Sequence, residues 1–297
     1  DTMQELKTPW IGLSTGGAKI IDNNQDPNWM FRVSAHDPWV AEFLVRWTVE
    51  KLGITKIGIL NEDTGWGVPA IDDIKAALAA QGLEPTSVDK MKVGETDFTA
   101  QMGRAKQAGT EAIVTFSNSV EMANVLKAGQ KLGYQPQVMS AWGLANPNYP
   151  ALAGELAEGT LVMQTFTWVN NAAPKAVGLL EKYMEKWSAV TSASTLPFPS
   201  FVANAYDAVH LFALAIDKAG AADGALVRDA LEQLETYEGL IKVYDPPFTP
   251  ERHDALTPDD YMMCEWKGEE LRLVGTLGAG QVGEGEEKPE VQTSETM

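Results

Sequence analysis

The chain has 297 residues, of which 44% are hydrophobic, and a formal net charge of −18 at pH 7. This length and apolar content predict one large core or, more in keeping with the length, two. The acidic excess disfavours nucleic acids and anionic membrane surfaces as partners, because binding them requires clustered Lys and Arg. The single cysteine, Cys264, excludes an intramolecular disulfide and a cysteine metal cluster, and we interpret it as a small buried hydrophobe.

Two features of the sequence bear on membranes and export. No run of 18 apolar residues occurs, so we expect no membrane insertion. Residues 1–5 have neither the basic start nor the apolar segment of a signal peptide, which is also what a mature exported chain would show.

The first predicted strand, residues 8–13, leads into a loop of small residues, which we call the glycine loop (residues 14–18). Its candidate binding residues are Ser14, Gly16, Gly17 and Ala18. Backbone N–H groups in such a loop can bind an anion without a charged side chain. A plain glycine turn that leads into a helix is an equally good interpretation of the loop alone.

A second strand is predicted at residues 29–34, and Asp37 is placed to cap the helix that follows it. The apolar run at residues 56–60 is bounded by turn formers, which indicates a strand covered on both faces. In open parallel sheets, ligands bind beyond the carboxyl ends of the strands, where residues 61–67 fall. Trp66 is therefore the first residue that we place at a binding site.

Strands and helices alternate through most of the remaining chain. After the helix that Asp63 or Thr64 would cap, further strands are predicted at 87–92, 112–116, 137–141 and 160–166, and further helices at 96–109, 120–133, 174–187, 201–219 and 226–234. Residues 261–266 and 270–274 predict a closing hairpin, and the acidic tail at 275–297 is expected to be disordered. This alternation predicts an α/β fold with mostly parallel sheets and helices on both faces.

The sequence carries no recognisable catalytic motif. The three histidines fall in different predicted elements, and the zinc-protease, nucleophile-elbow and phosphate-loop patterns are all missing. Glu62 and Asp63 lie at a strand end where an acid/base pair could be built, but adjacent residues point in different directions. We therefore expect a binding protein that is not an enzyme and needs no cofactor.

Several short motifs together carry a family resemblance. They are STGGA at 14–18, MFR at 30–32, DTGWG at 63–67, GETDF at 94–98, WGLA at 142–145, AEGT at 157–160 and AYDAV at 205–209. This ordered set resembles type I periplasmic solute-binding proteins, and more narrowly the branched-chain amino-acid (leucine/isoleucine/valine) binding family of ABC importers. The resemblance covers residues 8–274.

The resemblance implies two α/β lobes that close on a small ligand, a Venus-flytrap arrangement. Residues 1–35 and 165–260 would form lobe 1, and residues 36–164 and 261–274 would form lobe 2. The family normally begins with further strand–helix units, so that about 80 to 100 residues are expected to be missing at about 30 residues per unit. We therefore expect lobe 1 to be incomplete, with an exposed sheet edge and weakened folding.

The resemblance also implies the binding residues. The glycine loop would bind the ligand carboxylate through backbone N–H and hydroxyl groups, although Ala18 stands where a Thr is common. Trp66 matches the aromatic residue that covers the ligand, and Asn118 or Ser119 matches another ligand-facing position. Trp142 stands where amino-acid binders often carry a carboxylate for the ligand ammonium.

Two interpretations of the ligand remain open at this stage. The ligand is either an amino acid whose ammonium meets Glu62, Asp63, carbonyl groups or residues outside this chain, or a carboxylate or amide stacked between Trp66 and Trp142. The chemistry slightly favours the second interpretation, whereas the family favours amino acids.

The expected function is capture of this small solute in the periplasm, or elsewhere outside the cytoplasm, and delivery to an ABC permease. A ligand-sensing regulatory protein of the same fold is the alternative.

Overall fold

The computed structural model describes residues 2–277, in which helices and strands alternate as the sequence predicts. The strands are β1 (Trp10–Gly12), β2 (Met30–Arg32), β3 (Ile57–Glu62), β4 (Val88–Met91), β5 (Ala112–Thr115), β6 (Gln137–Ser140), β7 (Leu161–Gln164), β8 (Tyr237–Glu238), β9 (Val243–Tyr244), β10 (Met262–Lys267) and β11 (Glu270–Gly275). The α-helices are α1 (Thr2–Glu5), α2 (Ala18–Ile21), α3 (Asp37–Glu50), α4 (Gly67–Ala80), α5 (Thr99–Gln107), α6 (Ser119–Lys131), α7 (Asn148–Ala153), α8 (Pro174–Lys186), α9 (Pro199–Ala219) and α10 (Gly224–Glu232).

The largest sheet has seven strands in the order β11-β10-β7-β6-β5-β3-β4. Strands β4, β3, β5, β6 and β7 are parallel to one another, and β10 and β11 are added antiparallel at one edge. The carboxyl ends of β3, β5 and β6 are therefore neighbours, and the loops that follow them leave the sheet side by side.

Helices cover both faces of this sheet, as continuous apolar strands require. Along β5, Ala112 and Val114 pack with α3 and α4, whereas Ile113 packs on the opposite face with α5 and α6. The same alternation holds in β7, where Leu161 packs on the face covered by α3 and α4, and Val162 packs on the face covered by α5 and α6. Because successive side chains point to opposite faces, each strand contributes to two cores.

Smaller elements form a second region around α9 and α10. Strands β1 and β2 pair in parallel, and β8 and β9 pair antiparallel. Phe31 on β2 packs in one apolar cluster with Leu211 on α9 and Leu231 on α10. The Asp207 carboxylate on α9 accepts hydrogen bonds from the backbone N–H groups of Leu240 and Ile241, and so holds the β8–β9 turn against the helix.

The predicted strands, helices and closing hairpin are confirmed, with some corrections at their ends. Asp37 is not a helix cap: it is the first residue of α3, His36 holds the cap position, and no side chain makes a capping hydrogen bond there. Strand β3 extends to Glu62, two residues further than predicted. Strand β11 includes Gly275, so the predicted disorder is wrong at that residue. The rest of the predicted tail from residue 278 onward lies outside the described residues. In the described part of the chain, no helix is long and apolar enough to cross a membrane.

Candidate functional site

Three loops at the carboxyl ends of adjacent strands meet around Trp66. The Trp66 indole lies parallel to that of Trp142, with 6.4 Å between the ring centroids, and it meets Phe116 edge-on at 5.5 Å. A Cβ atom added to Gly143 would lie 2.1 Å from the Ser117 carbonyl oxygen and 3.1 Å from the Trp66 ring. Glycine at position 143 is thus what allows the loops after β3, β5 and β6 to pack this closely.

The loop between β3 and α4, which we call the Trp66 loop, is shaped by the residues on either side of Trp66. The Thr64 hydroxyl accepts hydrogen bonds from the N–H groups of Trp66 and Gly67. The prediction that Asp63 or Thr64 caps α4 is wrong, because Trp66 holds the cap position and no side chain makes a capping hydrogen bond there. A Cβ atom at Gly67 would lie 2.2 Å from the carbonyl oxygen of Glu62, so the chain can turn into α4 here only with glycine. These contacts fix the direction in which Trp66 leaves the end of β3.

The two carboxylates predicted as partners of a ligand ammonium are already engaged. Glu62 is buried and accepts hydrogen bonds from the backbone N–H of Asn118 at 2.5 Å and from its side-chain amide at 3.0 Å. Burial raises the pKa of the Glu62 carboxyl, and the hydrogen bonds from Asn118 oppose that shift. Asp63 forms an ion pair with Lys90 at 2.8 Å. The structure thus assigns Glu62 to positioning Asn118, and Asp63 to a partly exposed ion pair.

The glycine loop lies against the start of α3. Gly16 is buried, and its carbonyl oxygen accepts hydrogen bonds from the Asp37 backbone N–H at 2.7 Å and from Arg32 Nη1 at 2.9 Å. Arg32 Nη1 also donates to the Gly17 carbonyl oxygen, and Arg32 Nε donates to Asp254 at 2.5 Å. The loop is therefore held by its carbonyl groups, which leaves its N–H groups as the candidate anion binders.

The remaining predicted residues of the glycine loop are less enclosed. Ser14 is exposed, whereas Gly17 and Ala18 are half-buried at the start of α2. Their role in binding a ligand carboxylate stays a prediction.

Asp37 is a site residue that the sequence analysis missed, because its position before a helix suggested a cap. Its carboxylate Oδ1 accepts a hydrogen bond from Trp66 Nε1 at 3.3 Å. On its other side it touches Gly16, where an added Cβ would lie 1.9 Å from the same oxygen. Asp37 thus joins the glycine loop to the Trp66 loop. Burial raises its pKa to about 7, although the Trp66 hydrogen bond and the positive charge of Arg32 oppose the shift.

Several buried polar atoms around this junction have no hydrogen-bond partner within residues 2–277. They are Thr15 Oγ1, Arg32 Nη2, Ser34 Oγ, His36 Nδ1, His36 Nε2 and Ser119 Oγ. Leaving such groups unsatisfied costs about 1–3 kcal/mol each, so we expect ordered water or a polar ligand to bind them. Their arrangement on the glycine loop, the β2–α3 connection and the start of α6 is not visible in any local sequence pattern.

Trp142, in the loop after β6, makes a buried aromatic contact with helix α9. It is 5% exposed and meets Phe201 of α9 edge-on at 5.7 Å. A planar ligand stacked between Trp66 and Trp142 would need about 7 Å between the indole planes, twice the usual carbon–carbon contact distance. The ring centroids are 6.4 Å apart in this structure, and stacking of a ligand between the two indoles stays a prediction. Trp142 packs against α9 through Phe201.

The described residues contain no group of three or more His, Cys, Asp or Glu side chains placed to hold a metal ion. Cys264 is fully buried, as predicted, and burial raises the pKa of its thiol to about 12.

Comparison with known proteins gives a consistent assignment. A family model described as "Periplasmic binding protein" matches residues 1–270. The chain is 27% identical over 214 residues to Leu/Ile/Val-binding protein homolog 3 of Brucella melitensis, covering 71% of this chain and 55% of the relative. It is 25% identical over 209 residues to the leucine-, isoleucine-, valine-, threonine- and alanine-binding protein of Pseudomonas aeruginosa, covering 70% of this chain and 53% of the relative. The chain thus spans about half the length of the curated relatives it matches.

A solved structure supports the fold independently. The crystal structure of a periplasmic binding protein type 1 from Bordetella pertussis superimposes with a TM-score of 0.79 at 24% identity, covering 93% of this chain and 76% of that one. The predicted type I fold, with mostly parallel sheets and helices on both faces, is therefore confirmed.

Proposed function

Because the chain belongs to the periplasmic binding protein family, we propose that it is the ligand-capturing part of a solute-binding component of an ABC importer, working outside the cytoplasm. The family consists of binding proteins, which agrees with the prediction that the chain is not an enzyme. The ligand is an amino-acid-like molecule or a carboxylate or amide of similar size, and an ABC permease receives it.

One observation carries this proposal: the glycine loop, the Trp66 loop and the loop after β6 that carries Trp142 lie next to one another. Asp37 contacts both Gly16 and Trp66, and Trp66 lies parallel to Trp142. Segments far apart in the sequence thereby bring together aromatic rings and buried polar atoms that have no hydrogen-bond partner among the described residues. This combination of apolar walls and a few polar groups is typical of small-molecule sites.

The proposed capture uses two lobes, with residues 1–35 and 165–260 in one and residues 36–164 and 261–274 in the other. The origin of the strands supports this division. The seven-stranded sheet draws all its strands from residues 57–164 and 262–275, while β1, β2, β8 and β9 pair only among themselves within the described chain. The Trp142–Phe201 contact then lies between the lobes. Closure around the ligand would couple ligand affinity to the closed population, and the closed form would be the one the permease recognises.

Tryptophan fluorescence tests the proposal, because Trp66 would report on a bound ligand. Leucine, isoleucine, valine and aliphatic and aromatic carboxylates are titrated into the wild-type chain and into Trp66→Phe. The control is Trp187→Phe, since Trp187 is exposed and contacts Tyr183 and Lys186 rather than the site residues. We expect a saturable change in the wild type and the control, and its loss in Trp66→Phe. The proposal is wrong if calorimetry and fluorescence detect no binding of any of these ligands to the folded wild-type chain.

A further inference from the structure

Phe198 has a backbone conformation that is unfavourable for its residue type. It lies directly before Pro199 at the start of α9, with a φ angle of 50° and a ψ angle of 60°. The left-handed region is unfavourable for a bulky residue, and a following proline favours extended backbone instead. Such conformations persist only where surrounding contacts hold them, and they concentrate at ligand clamps and switch regions. The contacts of Phe198 therefore indicate what this part of the chain does.

Phe198 is hydrogen-bonded to a residue of the other proposed lobe. Its backbone N–H donates to the carbonyl oxygen of Ala145 at 2.8 Å. Ala145 directly follows the short 3₁₀ helix Trp142–Leu144 of lobe 2, whereas Phe198 belongs to lobe 1. Relative to α9, an extended backbone at Phe198 would point this N–H group in a different direction. The hydrogen bond between the lobes thus requires the left-handed conformation.

The aromatic rings beside this hydrogen bond also contact lobe 2. The Phe198 ring stacks on Phe201, with 5.4 Å between the ring centroids and 15° between the ring planes. Phe201 meets Trp142 edge-on and packs against the apolar cluster around α3 and α4. Among the described residues of 165–260, Phe201 is the one that packs on that cluster. Phe198 and Phe201 therefore lie together at the boundary between the lobes.

The segment that carries these contacts, residues 196–201, is fixed in lobe 1, and we call it the strap. Leu196 is buried in one apolar cluster with Phe166 and Trp168. Trp168 Nε1 donates a hydrogen bond to the Pro199 carbonyl oxygen at 3.1 Å. The strap is therefore anchored in lobe 1 and makes its hydrogen bond and its ring contact with lobe 2.

Building on the two lobes of the proposed function, we propose that the strap is a latch that holds the lobes together before a ligand binds. Its contacts are made by atoms of the chain itself, so they stabilise the closed arrangement independently of a ligand. A ligand binds more tightly to a cleft whose closed form is already populated. The strain at Phe198 is relieved when the latch opens, which keeps the open form accessible for ligand entry.

The first test measures the distance between the lobes without any ligand. Spin labels are attached at Gln107→Cys on α5 in lobe 2 and at Glu185→Cys on α8 in lobe 1, which are both exposed positions. The native Cys264 is fully buried and should not be labelled. Pulsed electron paramagnetic resonance should then show mainly the distance that separates these positions in this structure. A distribution that contains only longer distances would refute the latch.

Two replacements of Phe198 in the labelled chain separate the ring from the backbone. Phe198→Ala and Phe198→Gly both remove the stack on Phe201, but only glycine adopts a φ angle of 50° without a penalty. Both variants should shift the distances toward a longer, open population. Because the left-handed conformation is unfavourable for alanine, the ratio of closed to open chains should be about 5- to 30-fold higher in Phe198→Gly than in Phe198→Ala.

Asn24→Gly is the matched control for a glycine replacement at positive φ. Asn24 has a φ angle of 56° and is exposed in the connection between α2 and β2, within lobe 1. This variant should leave the distance distribution of the labelled chain unchanged.

The outcomes separate the latch from the proposed function. If Phe198→Ala leaves the distances unchanged, the latch is refuted whatever the chain binds. Equal closed-to-open ratios in the two Phe198 variants would contradict the role of the left-handed backbone. If Phe198→Ala opens the chain but no solute binds, the latch stands and the proposed function fails. Circular dichroism establishes that each variant is folded, and if neither Phe198 variant folds, the distances in the unliganded labelled chain decide alone.

Discussion

Replacing Gly16 by alanine should disrupt the contact between the glycine loop and Asp37, whereas the same replacement at the neighbouring Gly17 should not. The new Cβ would lie 1.9, 2.5 and 2.8 Å from Asp37 Oδ1, Cγ and Oδ2, so the whole carboxylate would have to move. Overpacking of this kind costs about 1–3 kcal/mol, and losing the long Trp66–Asp37 hydrogen bond adds about 1 kcal/mol. We therefore expect Gly16→Ala to lower the free energy of unfolding by about 2–4 kcal/mol.

Gly17→Ala provides the control within the same loop. A Cβ at Gly17 would meet Ile20 at 3.7 Å, an ordinary contact, and the φ angle of −55° suits any residue. This variant should be as stable as the wild type, or more stable by about 0.4–1 kcal/mol because its unfolded chain is less flexible.

Urea unfolding followed by tryptophan fluorescence and by circular dichroism measures both variants. Coincidence of the two signals establishes that a single free energy of unfolding applies. Equal midpoints for Gly16→Ala and Gly17→Ala would refute the close packing of Asp37 on Gly16.

Three further predictions concern the rest of the chain, and a fourth concerns pH. Asp207→Asn should lower the free energy of unfolding by about 1–3 kcal/mol in urea melts, because the buried carboxylate accepts hydrogen bonds from two backbone N–H groups and from Tyr244. Asp223→Ala should cost about 0.5–2 kcal/mol by the same assay, since this side chain caps α10; no loss would refute the cap. The Cys264 thiol should react with a thiol reagent at pH 8 only after denaturant is added, and fast reaction of the native chain would contradict its burial. Burial raises the pKa of Asp37 in the folded chain to about 7, so protonated Asp37 stabilises the fold at low pH, and this stabilisation is lost as pH rises from about 4 to about 7. Asp37→Asn should remove this part of the pH dependence of the free energy of unfolding. Identical pH profiles for the variant and the wild type would contradict the shift.

The strands and the sheet type could be predicted because they follow from local patterns. Residues 112–116 are apolar throughout, which indicates burial on both faces, and Ala112 and Ile113 do face different cores. Trp66 was placed near the site because its loop follows such a strand, and the structure brings it beside Trp142.

The polar part of the site could not be predicted in the same way, because it depends on contacts between distant segments. Asp37 resembles a helix cap locally, and its real contacts are with Gly16, 21 positions earlier, and with Trp66, 29 positions later. In the sequence, Glu62 resembles an acid that is free to bind a ligand. In the structure, its carboxylate accepts two hydrogen bonds from Asn118, which is 56 positions away. Sequence patterns identify which loops meet, but the partner of each polar group depends on the assembled fold.

The most direct test of ligand capture at this junction is a crystal structure of the chain grown with saturating L-leucine. We expect density for leucine with its carboxylate at the glycine loop and its side chain against Trp66. Leucine bound elsewhere, or an empty junction at saturating leucine, would contradict this account.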